Sequence, residues 1–186
     1  MNLFFRLMIV FIRALMSKKQ AGLFDPAKLT FRVWLTDQDM FMHMTNSRYL
    51  SFSDLGTINF MVRAGFWKIL RKRNWFPVIC AQSMVITRML DTPNKFQIVT
   101  KIIGWTDTYV CISHNFMYQG RQHAEVRVVA RFASRSKKPV FPQDLIDAAG
   151  QSHVSPPLPD AFLTMVKDVE EKRAAFRNSP RVSPKD

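Results

Sequence analysis

The sequence predicts an α+β domain in which one antiparallel sheet wraps around a single long buried helix. Three observations lead to this prediction. The segment 47–62 carries only two charged residues, Arg48 and Asp54, and its apolar residues fall on every side of a helix. A helix that is apolar all round is a buried helix. One strand-like run precedes this helix, and four more follow it with turn compositions between them.

Apolar runs bounded by turn residues define the individual elements. The first strand covers 29–35, and the central helix runs from Ser47 to near Gly65. A short helix over 66–74 follows and ends on the basic cluster 71–73. The later strands are predicted at 78–89, 95–104, 108–118 and 124–134. Their short connections predict an antiparallel meander.

An amphipathic helix is predicted at residues 2–17, beside Lys18 and Lys19. Its polar residues share one narrow sector of the helical wheel and leave a broad apolar face: Asn2, Arg6, Arg13 and Ser17. The apolar run is shorter than the roughly 20 residues needed to span a bilayer. We therefore expect peripheral contact with a membrane surface. Docking of the apolar face on the domain or on a partner subunit, and a signal peptide, are the alternatives.

These elements divide the chain into three parts. The amphipathic helix occupies 1–20 and the sheet domain occupies 28–150, with a short helix at 143–149 near its end. The remainder, 151–186, is expected to hold a Pro-rich linker, a charged helix with Asp160 as its N-cap, and a disordered tail of ten residues.

Charge and cysteine content limit the classes of function. Lys and Arg total 27 against 14 acidic residues, which gives a net charge of +13 and a pI near 10.3. Such a balance favours an anionic partner, but no recognisable nucleic-acid-binding module accompanies it, so we expect no nucleic-acid partner. Cys80 and Cys111 lie in apolar runs without metal-ligand spacing. They predict core thiols in a reducing, cytoplasmic setting and no metal site.

The polar turn before the central helix resembles that of the hotdog-fold acyl-CoA thioesterases. The similarity is to the 4-hydroxybenzoyl-CoA thioesterase group, and within it to the branch of thioesterase superfamily member proteins. It rests on six residues of the turn and the start of the helix, and on the buried helix and four strands that follow them. The six residues are Asp39, His43, Met44, Asn46, Tyr49 and Leu50. The turn 104–107 is a further similarity. Met42 departs from the family's glycine, and Thr45 departs from its first asparagine.

The resemblance implies a hotdog-fold acyl-CoA thioesterase that forms a homodimer or tetramer. No cofactor is expected, since coenzyme A enters as part of the substrate. Asp39 is implied as the catalytic base or nucleophile, and the backbone N–H of Asn46 as a donor to the oxyanion. His43 is expected to orient the substrate or Asp39. The substrate-binding residues are expected to be Thr45, Ser47, Tyr49, Asp54 and Trp105.

Several of these assignments have a purely structural alternative. The alternative for Asp39 is a loop aspartate that bonds its own backbone, for His43 a turn cap, and for Asn46 an ordinary N-cap. Asp54 is interpreted either as a second active-site acid that faces a neighbouring subunit, or as a partner in an internal salt bridge or hydrogen bond. Asp37 is interpreted as a structural turn residue.

Residues outside the turn are interpreted as follows, and only the basic clusters have two interpretations. His114 and His123 are interpreted as structural, and the basic clusters 71–73 and 135–138 as a coenzyme A phosphate site or as solvated surface. The alternative function is a non-catalytic, membrane-associated acyl- or lipid-binding protein, which the departures at Met42 and Thr45 favour.

Overall fold

A computed structural model describes residues 3–17, 22–151 and 153–179 of the chain. Within these ranges it has five α-helices, five strands and a 3-10 turn at Leu35–Asp37. The helices are α1 Leu3–Met16, α2 Asn46–Arg63, α3 Phe66–Arg73, α4 Pro142–Ala148 and α5 Asp160–Asn178. The strands are β1 Ala27–Arg32, β2 Trp75–Ile86, β3 Lys95–Trp105, β4 Val110–Tyr118 and β5 Arg121–Ser134.

All strand pairs are antiparallel, and the sheet has the order β1-β3-β4-β5-β2 around α2. This confirms the predicted α+β fold with one sheet around one helix. The predicted four-strand meander is wrong for β2, which pairs with β5 at the sheet edge and not with β3. The connection 87–94 crosses from that edge to β3, so it passes the turn in front of α2. There Met44 N donates to Leu90 O at 2.8 Å.

Close packing of α2 on the sheet explains why the helix carries so little charge. Its side chains Tyr49, Phe52 and Leu55 are almost fully buried in the main core. At Gly56 a Cβ atom would lie 2.5 Å from Thr100 Oγ1, so only glycine permits this approach. The Thr100 hydroxyl bonds His114 Nδ1 at 2.9 Å, and burial lowers the pKa of His114 to about 3. His114 is thus a neutral residue of the core.

The other face of the sheet is covered by α5, although the sequence predicts this helix outside the domain. Its apolar side chains form a second buried cluster with residues of β4 and β5 and with Tyr109, which directly precedes β4: Phe162, Val166, Val169, Tyr109, Cys111 and Val129. The predicted linker is also packed, because Trp105 N donates to Ser155 Oγ at 2.8 Å. Most of the C-terminal part therefore belongs to the domain.

Several predicted boundaries need correction. The first strand ends at Arg32, and the chain then enters the 3-10 turn. The N-cap of α5 is Pro159, not Asp160, and α5 extends to Asn178 into the predicted tail. The rest of that tail, 180–186, lies outside the described residues.

The helix α1 packs along α2 with Arg6 turned inward. Arg6 Nη2 lies 2.7 Å from Asp37 Oδ2, and its guanidinium lies 4.9 Å from the centroid of the Phe52 ring. Val10 and Ala14 are buried on the same side. The prediction that Arg6 faces water is therefore wrong, whereas Arg13 is exposed as predicted. Asn2, Lys18 and Lys19 lie outside the described residues. Among the described helices, none is long and apolar enough to cross a bilayer.

Candidate active site

A buried carboxylate fixes the base of the turn in front of α2. Asp37 is fully buried, and its Oδ2 accepts hydrogen bonds from Arg6 Nη2 and from Trp34 N at 3.1 Å. Arg48 Nε lies 3.3 Å from Oδ1. The backbone carbonyl of Asp37 also accepts Thr45 N at 2.9 Å, which closes the turn. Asp37 is structural, as predicted, but its role extends to holding α1 and α2 together.

Asp39 lies on the exposed surface of this turn. Its Oδ1 accepts hydrogen bonds from Phe41 N at 2.9 Å and from His43 N at 3.4 Å, so the backbone-bonding arrangement is present. Within the described part of the chain, Oδ2 makes no hydrogen bond, and this oxygen can face a substrate. Met42 adopts a left-handed φ of 66°, the conformation that glycine adopts at no steric cost. The turn therefore forms without the family's glycine.

The ring of His43 pairs with a residue that the sequence analysis did not single out. Its Nδ1 lies 2.6 Å from Asp91 Oδ1, and both side chains are about half exposed. Asp91 belongs to the connection 87–94. The composition of this connection indicates only a turn. Asp91 reaches His43 because β2 pairs with β5 and the connection then crosses back to β3. The ring of His43 is thus oriented by Asp91, while its contacts with Asp39 run through the backbone.

The start of α2 is open to solvent. Thr45, and not Asn46, is the N-cap, and no side-chain hydrogen bond caps the first turn. The Thr45 hydroxyl instead lies 3.1 Å from the Ser47 hydroxyl. The first N–H groups of a helix have no intrahelical partner and carry the positive end of the helix dipole. Since Asn46 and Ser47 are exposed, this end of α2 can receive a developing negative charge.

An apolar cavity of about 300 Å³ lies between the second half of α2, the sheet and α4. Asp54 is the titratable group in its lining. The carboxyl is half buried and has no hydrogen bond or salt bridge within the described residues, so neither internal partner that was the structural alternative is found there. Burial raises the pKa of Asp54. The cavity wall includes Leu145 and Ile146 of α4, which sequence reasoning missed because α4 reaches α2 only in the folded chain.

Two predicted substrate-binding residues lie in the core. Tyr49 is fully buried, and its hydroxyl accepts Leu90 N at 3.1 Å. Burial is the main cause that raises its pKa to about 12. Trp105 is also buried, and its Nε1 donates to Gln143 Oε1 at 3.0 Å. Neither side chain lines the cavity, so both hold the fold around the turn and α4.

A family model described as the thioesterase-like superfamily matches residues 33–164, more than half of the chain. The chain belongs to the thioesterase-like superfamily. The matched range contains the turn, α2, α3, the strands β2 to β5 and α4, whereas β1 ends at Arg32, just before it. The helix α1, with Arg6, lies outside the matched range.

Thioesterases of known structure share the fold at low identity. The probable thioesterase YbaW from Escherichia coli superposes with a TM-score of 0.61 at 14% identity, over 64% of this chain and 93% of that one. DHNA-CoA thioesterase from Staphylococcus aureus superposes with a TM-score of 0.57 at 9% identity, over 85% of this chain and 97% of that one. Protein THEM6 of Drosophila melanogaster is 30% identical over 82 residues. That alignment covers 44% of this chain, which spans only 42% of the length of that relative.

Pairing of β2 with β5 brings the two basic clusters, 71–73 and 135–138, together. Trp75 lies opposite Ser134, and Arg135 N donates to Asn74 O at 3.3 Å. A nearby crevice is lined by four cationic side chains: Arg131, Lys137, Lys138 and Arg173. Arg173 comes from α5, which the sequence analysis placed outside the domain. No group of His, Cys, Asp or Glu side chains in the described part of the chain could hold a metal ion.

The raised pKa of Asp54 predicts a stability effect with a defined sign. When the pKa of a carboxyl is higher in the folded than in the unfolded state, its contribution to stability is fully present below the unfolded pKa and is lost as pH rises through the folded pKa. Asp54→Asn removes the cost of burying the charge. We therefore expect the variant to be more stable than wild type at pH 7.5 and the difference to shrink as pH falls toward 4.

Urea denaturation at several pH values measures this difference, with Asp107→Asn as the control at an exposed aspartate. A destabilised Asp54→Asn at neutral pH would mean that the ionised carboxylate makes a favourable interaction in the fold.

Proposed function

We propose that the protein is an acyl-CoA thioesterase that hydrolyses its substrate to a free acid and coenzyme A. The observation that carries the proposal is the uncapped N-terminus of the buried helix α2 beside Asp39. One carboxylate oxygen of Asp39 holds the turn, and the other is free of hydrogen bonds within the described residues. A base or nucleophile and a set of oxyanion donors are what thioester hydrolysis requires.

The chemistry follows one of two routes. In the first, Asp39 takes a proton from water as the oxygen of that water attacks the thioester carbon. The carbonyl oxygen becomes an oxyanion stabilised by the N–H groups at Asn46 and Ser47. Collapse breaks the C–S bond, and the thiolate of coenzyme A leaves and is protonated. In the second, Asp39 attacks the carbon directly and expels the thiolate, and water then hydrolyses the resulting anhydride.

The cavity beside Asp54 is suited to an acyl group. It lies about two helical turns along α2 from Asn46, and its walls are almost entirely apolar. A methylene group takes up roughly the same volume as a water molecule in the liquid, about 30 Å³. A cavity of about 300 Å³ therefore holds an acyl chain on the order of ten carbons long. The basic crevice around Arg131 and Arg173 offers charge for the phosphates of coenzyme A.

The edge strand β2 supports assembly into a homodimer. This twelve-residue strand has no charged residue, and Phe76, Ile79 and Val85 are 44–49% exposed. Proteins usually protect such an edge with charges, because free N–H and C=O groups pair with another strand. Pro77 and Ile79 also line the cavity, so a second copy paired at β2 would lie beside Asp54.

Replacing Ile79 by lysine places a charge on this edge and is expected to convert the dimer to a monomer. Light scattering in solution measures the mass. Val154→Lys, at a side chain that is 90% exposed away from β2, is the matched control and should leave the mass unchanged. A dimer that persists in Ile79→Lys would mean that the subunits pair through another surface.

The function is tested by release of free thiol from acyl-CoA substrates of increasing chain length. We expect turnover that rises with chain length and declines once the acyl group exceeds the capacity of the cavity. Saturable binding of every acyl-CoA without thiol release would contradict the proposal. That result would support an acyl-binding protein on the same scaffold and would make Met42 and Thr45 the residues to explain.

A further inference from the structure

The helix α1 carries its hydrophobic side chains on two opposite faces. Leu3, Leu7, Val10 and Ala14 face the domain, and Arg6 lies among them in its ion pair with Asp37. The other face spans about 140° of the helix and is exposed along its whole length. Its seven large apolar side chains are each 41–77% exposed: Phe4, Phe5, Met8, Ile9, Ile12, Leu15 and Met16. The buried ion pair fixes which face is outward.

Cationic side chains adjoin this exposed face. Phe11 of α1 contacts Trp67 of α3 with ring centroids 5.1 Å apart, so the two helices are neighbours. Arg13 on α1 is exposed, as are Lys68 and the cluster 71–73 on α3. Neither helix contains an acidic residue. On these two helices, the exposed apolar side chains are therefore accompanied by positive charge and by no negative charge.

We propose that α1 and α3 together form a docking surface for a lipid bilayer that contains anionic lipids. A helix with apolar residues on one side and cations at its border is the arrangement that binds in the plane of a membrane interface. Anionic headgroups would pair with the cations while the acyl region takes up the Phe, Ile and Leu side chains. The proposal does not depend on the thioesterase activity.

Charge complementarity favours a bilayer over a second copy of the chain. Two copies packed face to face through α1 would bring Arg13, Lys68 and the cluster 71–73 of each against the same cations of the other. Like charges brought together in this way oppose association. The uncharged edge of β2 is better suited to a second copy and is formed by a different part of the fold.

Vesicle co-sedimentation of the full chain tests the proposal. We compare phosphatidylcholine vesicles with vesicles in which about a third of the lipid is phosphatidylglycerol. Wild type should sediment with the anionic vesicles at low salt. The double variant Phe5→Ser/Ile12→Ser, altered at the centre of the exposed face, should lose binding by on the order of tenfold or more. Phe176→Ser, on α5 and 83% exposed, is the matched control and should bind like wild type.

A second variant tests the charged border. Lys68→Gln/Lys72→Gln should weaken binding to the anionic vesicles, and added salt should weaken wild-type binding in the same way. Unchanged melting temperatures would establish that both double variants are folded. The proposal is overturned if wild type fails to bind anionic vesicles, or if Phe5→Ser/Ile12→Ser binds as wild type does. It is also overturned if that variant changes only the oligomeric mass, because α1 would then contact another copy.

Discussion

Replacing Arg6 by methionine is expected to lower the free energy of unfolding by about 3–5 kcal/mol. Arg6 is 3% exposed and is bound to the fully buried carboxylate of Asp37. Methionine fills much of the same volume but leaves the carboxylate without its closest cation. Arg48 Nε, at 3.3 Å from the other oxygen, compensates only in part. Removing one partner of a buried pair is costly because the remaining charge stays desolvated. Urea denaturation followed by circular dichroism measures the change.

Two further variants separate the ion pair from the helix that carries it. Arg13→Met removes an exposed cation from the same helix and should change stability by no more than about 0.5 kcal/mol. Arg6→Met/Asp37→Asn removes both charges and keeps the acceptor for Trp34 N, so it should recover part of the loss. A loss of less than about 1 kcal/mol in Arg6→Met would show that α1 is not held by this pair.

The fold could be predicted because local patterns define it. The almost charge-free segment of α2 requires burial on all sides, and the strand runs supply the surface that buries it. The position of β2 could not be read in the same way. Short connections favour neighbouring strands, whereas β2 pairs with β5 through contacts that are distant in sequence. The predicted meander therefore had the right strands and one wrong neighbour.

For the candidate site, the sequence indicates which residues lie in the turn before α2 but not which of their side chains meet. Asp39 and the start of α2 follow from the motif and from helix geometry. Asp91 could not be linked to His43, since the two are 48 residues apart and meet only through the crossover 87–94. Arg6 is a similar case, because a helical wheel assigns a cation to the water-facing side. Only the fold reveals that a buried carboxylate, Asp37, lies opposite it.

Replacing Asp39 by asparagine is expected to lower kcat/KM for thiol release by about 10²–10⁴. Asparagine retains a side-chain oxygen that accepts hydrogen bonds from Phe41 N and His43 N, so the turn should keep its shape. It lacks the basicity and the nucleophilicity of the carboxylate. Asp39→Ala loses the turn hydrogen bonds as well and should also be less stable. The comparison therefore separates the chemical role of the carboxylate from its role in the turn.

The same assay distinguishes Asp39 from Asp54, the other carboxyl near the proposed acyl site. If Asp39 is the base or nucleophile, Asp39→Asn loses turnover while its acyl-CoA binding and its melting temperature stay close to wild type. If Asp39→Asn retains turnover and Asp54→Asn loses it, the assignment of Asp39 is wrong. Asp39 would then serve only the turn, and the half-buried carboxyl of Asp54 would supply the chemistry from the cavity wall. The turn would still matter, because the hydrogen bond from Thr45 N to Asp37 O fixes the start of α2, where the proposed oxyanion donors lie.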